Sequence, residues 1–203
     1  MSAPPSTNRR RALGSPPFFL VAAVLVGWLG GGAVPATRGS EDSKRVREYE
    51  LKAAFLFNLS KFVEWPASAF AGADDAIVIG ILGEDPFEGR LQQTVEGKRV
   101  GGRRFRIRYV KADRDAQACH IVFISHSEKD RLAQIAERLR GSPTLSVSDV
   151  GPFAELGGVL HFDLDGRRVR LVINPEAAKG AGLKLSAKLL NLARIVPEQA
   201  DGS

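Results

Sequence analysis

Cysteine occurs once in the 203 residues, at Cys119, and that scarcity excludes an internal disulfide. The domain has to be held by its core alone. Histidine is nearly as scarce. His120, His126 and His161 fall on different predicted elements and no H-x-x-x-H spacing joins them, so no zinc site is expected. The G-x-S-x-G elbow of a serine hydrolase is missing. Two glycine-containing loops, "GEDPFEG" and "GPFAELGG", lack the spacing of a phosphate-binding loop. No apolar run reaches the roughly 20 residues of a membrane-spanning helix; the run from Phe18 to Leu29 has 12. Internal repeats, low-complexity tracts and signs of a second domain are also absent.

That apolar run is instead the h-region of an export signal. Arg9, Arg10 and Arg11 precede it, and "AVPA" follows with small residues at Val34 and Ala36, the pattern read by signal peptidase. Residues 1–36 are therefore expected to be removed, and the lack of a cysteine after the h-region argues against a lipid anchor. The three arginines are the only charges in that leader, so the net charge drops from +6 to +3 on cleavage. A balance so mild gives no reason to expect nucleic acid as a partner. A short polar linker is expected at 37–43, one domain at 44–197 and a flexible tail at 198–203.

Hydropathy along the domain alternates between strand and helix. A helix is predicted from Lys44 to Glu64, stopped by Trp65-Pro66 because a residue before proline avoids the helical region. "DDAIVIGILG" reads as a strand buried on both faces. A helix comes next, with Asp85 as N-cap and Pro86 in its first turn. In "RRFRIRYVK", Phe105, Ile107 and Tyr109 alternate with Arg104, Arg106 and Arg108, giving one packed and one wet face. "CHIVFIS" is a further buried strand, "SEKDRLAQIAERLRG" an amphipathic helix, and "TLSVS" a fourth strand. Asp165-Gly166 sits between two alternating strands, a hairpin signal. "PEAAKGAGLKLSAKLLNLARIV" closes the domain as a helix with Lys188, Asn191 and Arg194 on its polar side. The sum is an α/β three-layer sandwich: a mostly parallel sheet flanked by helices, with a C-terminal β-hairpin as antiparallel edge.

Five stretches in this order, "KAAFLFNLSKFVEWP", "GILGEDPF", "CHIVFIS", "LSVSDVGPFAELGGVLHF" and "VRLVINPEAAKGAGLKLSAKLLNLARIV", resemble the YfiR family. Those are periplasmic proteins named after a repressor of a membrane-bound diguanylate cyclase. The resemblance implies an exported α/β domain without catalytic activity or cofactor that works by binding partners. It also implies a pair of cysteines, one in the first core strand and one at Cys119. Here the first-strand position is Gly80, so redox control through that pair does not carry over.

The residues support no enzyme on their own. Ser125 and His126 are neighbours at the end of a strand, point to opposite faces and cannot act as nucleophile and base. The two serines Ser125 and Ser127 read as caps of the next helix. A phosphorelay receiver would need an aspartate where Ser125 stands and a lysine beside Ser148-Asp149. The arginine face at 104, 106 and 108 admits two readings: charges that guard a sheet edge, or a surface for anionic headgroups or an acidic partner. The first helix also admits two. Val46, Tyr49, Ala53, Leu56, Phe57 and Val63 form one apolar stripe, and Leu51, Phe55, Leu59 and Phe62 another nearly opposite. Either both lie within one domain, or the second docks another protein.

On the docking reading, Phe55, Leu59 and Phe62, with Phe153 before the hairpin, are the expected partner surface. The partner would be the periplasmic domain of an inner-membrane diguanylate cyclase or histidine kinase, or a second copy in a homodimer. The alternative is a periplasmic small-ligand-binding protein with its crevice at the carboxyl ends of the strands, around Gly83, Asp85, Ser125 and Ser148.

Overall fold

The computed structural model describes residues 38–165 and 168–197. The expected signal segment, the tail at 198–203 and the hairpin residues Gly166 and Arg167 lie outside the described residues. Among these residues no helix is long and apolar enough to cross a membrane.

The first helix, α1, runs Arg38–Leu59. It starts inside the stretch read as a linker, where Glu41–Lys44 and Asp42–Arg45 ion pairs sit one turn apart on the solvated surface. Its end is earlier than the proline stop suggested. Lys61 and Phe62 close a turn on the carbonyls of Asn58 and Leu59. Val63–Glu64 then leaves as strand β1, paired antiparallel with Lys184–Leu185 (β9).

The buried runs form the sheet as expected. Ile77–Leu82 is β2, Ile121–Ile124 β5 and Leu145–Ser148 β6, all mutually parallel. Arg103–Val110 (β4) lies parallel to the other side of β2 and turns back through Arg99–Val100 (β3). Beyond β6 come Leu160–Asp165 (β7), parallel to it, and Arg168–Ile173 (β8), antiparallel to β7. The last strand, Ala193–Ile195 (β10), adds parallel to β8, giving the order β10-β8-β7-β6-β5-β2-β4-β3. The hairpin is therefore interior rather than the sheet's edge.

Three further expectations are corrected. The C-terminal stretch is two short helices, Pro175–Gly180 (α5) and Ala187–Leu190 (α6), interrupted by β9 and followed by β10. The turn at Gly180-Ala181-Gly182 ends α5, and pairing with β1 and β8 outcompetes helix at β9 and β10. The helix after β2 is only Arg90–Val95 (α2), begun from Gly89 rather than Asp85. Asp85 instead holds the Phe87 N–H in a local turn at 2.8 Å. Tyr109, expected on the packed face, is 61% exposed at the end of β4, where its hydroxyl meets Asp85 instead of the core.

Two cores sit on the two faces. One joins α1, α2 and the α5–α6 region to Ile79, Ile81, Phe123, Val147 and Phe162. The other joins Asp113–Ala116 (α3) and Leu132–Leu139 (α4) to Leu82, Val122 and Ile124. The predicted layering holds: helices cover both faces of a mostly parallel sheet.

Candidate functional site

The docking stripe on α1 is largely taken up by packing within the domain, although Leu51 at its start stays 41% exposed. Leu59 is buried, and Phe55 packs on Phe162 of β7 with ring centres 5.9 Å apart. Phe62 is half-buried beneath Lys188. The opposite stripe is covered too, with Tyr49 edge-on to Phe87 and Phe57 edge-on to Phe105. The sheet is wide enough to receive aromatic side chains from both flanks of the helix, and Phe55, Phe57 and Phe62 end up partly buried against it. Phe153 is fully buried in the core on the other face of the sheet, so it cannot join the others.

Gly83, Ser125 and Ser148 do gather at the carboxyl ends of the strands, but the serine hydroxyls are taken up by neighbouring side chains and backbone. Ser125 and Ser127 hydroxyls meet at 2.9 Å, and Ser127 Oγ accepts the Glu84 N–H. Neither hydroxyl caps its own helix as expected. Ser148 Oγ donates to the Ile124 carbonyl and accepts from Val150 N–H. Gly83 has φ +92°, and a Cβ there would strike both serine oxygens at 2.3–2.4 Å, so the loop closes directly on them. Asp85 stays in its turn. A cleft of about 480 Å³ does exist, at the opposite end of the sheet. There Thr144, Val159 and Leu156 face Asn174, Ala177 and Val196.

The most unusual chemistry was not foreseen. Lys52, midway along α1, is 1% exposed, with its ammonium between Glu48 and Asp149. The Asp149 Oδ2 contact is 2.5 Å, and the Tyr49 ring lies 4.5 Å from the same nitrogen. Glu48 is one turn away on α1 and helps to neutralise the cation. Asp149 comes directly after β6, so the charge pair ties the first helix to the end of a central strand. Asp149 Oδ1 is buried without a hydrogen-bond partner. Burial, and then the Asp149 charge, push the Tyr49 hydroxyl far above its ordinary pKa, so it stays protonated. The Lys52 ammonium is clamped by two carboxylates and a ring and so is not a free nucleophile. Its role is positional. The sequence held one hint: a lysine inside an apolar helix face.

A second polar anchor is His120. Its Nδ1 accepts the Val78 N–H at 3.0 Å, which leaves the Nε2 proton for the Ala69 carbonyl at 3.0 Å. The ring stacks on Phe70, and Trp65 Nε1 donates to the His120 carbonyl. Thus Trp65-Pro66, expected only as a helix stop, begins a loop pinned to the sheet. Burial lowers the His120 pKa, outweighing the hydrogen bond to Ala69, and burial lowers His161 likewise despite nearby Asp163. A lowered histidine pKa means that the unfolded chain takes up the proton first. Stability should therefore be full above about pH 6.5 and fall as the pH drops below it. Protonated His120 would set N–H against the Val78 N–H, so melting temperature should drop by several degrees between pH 7.5 and 5. His120→Asn, whose Oδ1 can still accept from Val78, should flatten that acid slope. An unchanged slope would mean that His120 is not responsible.

Cys119 is buried, and burial raises its thiol pKa, as for an inert core cysteine. It lies against Gly80: a Cβ on Gly80 would come 2.8 Å from Cys119 Sγ. The two positions that the family resemblance pairs are thus adjacent in space. Among the described residues no group of three or more His, Cys, Asp or Glu side chains could hold a metal.

A solved conserved domain protein from Vibrio cholerae is 13% identical, covers 73% of this chain and 60% of its own, with a TM-score of 0.49. An ABC domain in complex with L-Trp from Streptococcus pneumoniae is 12% identical over 59% of this chain and 55% of its own, with a TM-score of 0.44. The chain thus spans little more than half the length of these structures. The YfiR/HmsC-like family model matches residues 49–194, from Tyr49 beside the buried lysine to Arg194 of the last strand, and the chain belongs to that family.

Proposed function

We propose that this protein is an exported, non-enzymatic regulator that binds the periplasmic domain of an inner-membrane signalling protein, a diguanylate cyclase or a sensor kinase, and biases it between two activity states. The observation that carries this reading is membership of the YfiR/HmsC-like family over most of the domain, a family of periplasmic regulators of diguanylate cyclase signalling. The polar groups agree with it. Ser125, the best-placed hydroxyl, is bonded to Ser127, and Lys52 is saturated by carboxylates. Deleting the gene should change cyclic di-GMP or kinase output, and complementation with the full chain should restore it. Unchanged output of both in the deletion strain would reject the reading.

A further inference from the structure

With Leu59 and Phe153 buried and Phe55 packed on Phe162, the outer edge of β4 is the stronger candidate for a docking surface, and it has two independent properties that suit one. The first is backbone. β3 pairs only with Arg103 and Arg104, so among the described residues no strand lies on the outer side of β4 from Phe105 to Val110. Outward N–H and C=O groups there form a template for one more strand. The second is charge. Arg104, Arg106 and Arg108 are exposed on one face of that strand, at a repeat of about 6.7 Å. None makes an ion pair or hydrogen bond among the described residues, although eleven other basic side chains do pair with carboxylates. Arg99, opposite Arg104 across the hairpin, extends the same row. On the other face of β4, Phe105 and Ile107 are half-buried against the core.

We infer that this edge accepts an extended acidic segment of a partner protein, which adds as a strand with carboxylates at alternate positions over the arginines. The inference rests on the reading that the protein acts by docking another protein, and it names the surface and the partner's chemistry. A strand satisfies both properties at once, the backbone groups through ladder hydrogen bonds and the guanidinium groups through carboxylates at the same two-residue period. A second copy pairing through this edge would bring arginine rows together, so it is excluded as the occupant by like charge. A lipid surface would use the charge and leave the strand edge unpaired.

The test uses the full-length protein and a labelled heptapeptide with glutamate at alternate positions and valine or threonine between. A peptide of the same composition with its glutamates grouped, and phosphatidylglycerol vesicles, serve as comparisons. The alternating peptide should bind about tenfold more tightly than the grouped one and should slow hydrogen exchange of amides within residues 105–110. Raising salt to about 0.5 M should weaken it. The Arg104→Glu/Arg106→Glu/Arg108→Glu variant should lose it by about tenfold or more, and the corresponding triple glutamine variant should lose a smaller part, both melting like wild type. Equal binding of the two peptides without exchange protection would overturn the inference, as would binding of vesicles alone. In cells the two readings separate. If deletion alters signalling output and the triple glutamate variant complements fully, the edge is wrong while the regulator stands; if deletion alters nothing but the peptide binds as described, the reverse holds.

Discussion

Lys52→Met should cost the domain about 3–5 kcal/mol, because it strands the Asp149 carboxylate at a site taken out of water. The Asp149 side chain is 4% exposed, and losing the ammonium would remove the contact that balances its charge. Thermal melting should therefore fall by roughly 10 °C or more for a domain of this size. Asp149→Leu should be about as damaging, for the complementary reason that it leaves a buried cation with Glu48 alone. Glu48, a quarter exposed on its side chain, keeps access to water, so Glu48→Gln should be the mildest of the three. The telling variant is the double one. Lys52→Met with Asp149→Leu replaces the pair by apolar groups of similar volume and should recover much of the loss, with a coupling above roughly 1 kcal/mol. If Lys52→Met melts within a degree or two of wild type, the cluster does not hold α1 to β6. If the single losses simply add, the two side chains do not act as a pair.

That cluster also marks where the sequence stops being readable. The strands β2 and β5 were legible because each is a short, nearly continuous apolar run, the pattern of a strand covered on both faces, whereas β6 alternates Leu145 and Val147 with two serines. The first helix was legible in period but not in surroundings. Counting at about 100° per residue separates its two apolar stripes, yet only the eight-strand sheet says that Phe162 waits for Phe55 on one flank and Phe105 for Phe57 on the other. Its end was misread because the signal at Trp65-Pro66 is local, whereas Val63–Glu64 is drawn into a strand by Lys184–Leu185 from the far end of the domain. The C-terminal stretch failed the same way: its apolar spacing fits a helix, and pairing with β1 and β8 overrides it. Gly83, Ser125 and Ser148 do lie at the carboxyl ends of the strands, but no periodicity reveals that Ser125 and Ser127 bond each other or that Ser148 bonds the backbone at Ile124 and Val150.

Gly80→Cys should form a disulfide with Cys119 and raise the stability of the oxidised protein by about 3–4 kcal/mol. The geometry is already set. A Cβ built on Gly80 lies 2.8 Å from Cys119 Sγ and 3.4 Å from its Cβ. Both values are close to those across a relaxed bridge, about 3.0 and 3.8 Å. The residues stand 39 positions apart, so the bond would close a long loop in the unfolded chain and remove much of its freedom. Three states should then rank in a fixed order. Oxidised Gly80→Cys should melt above wild type. The reduced variant should melt below it, because the unbonded sulfur would crowd Cys119 and Val110 Cγ2, which is only 3.1 Å from the new Cβ. Thiol titration in denaturant should find no free cysteine after oxidation and two after reduction. Two free thiols in the oxidised sample would mean that β2 does not bring residue 80 against Cys119, and the register of the central strands would have to be redrawn. The native glycine leaves Cys119 without a bonding partner in a protein whose stability therefore rests on packing and on the Lys52 cluster rather than on redox state.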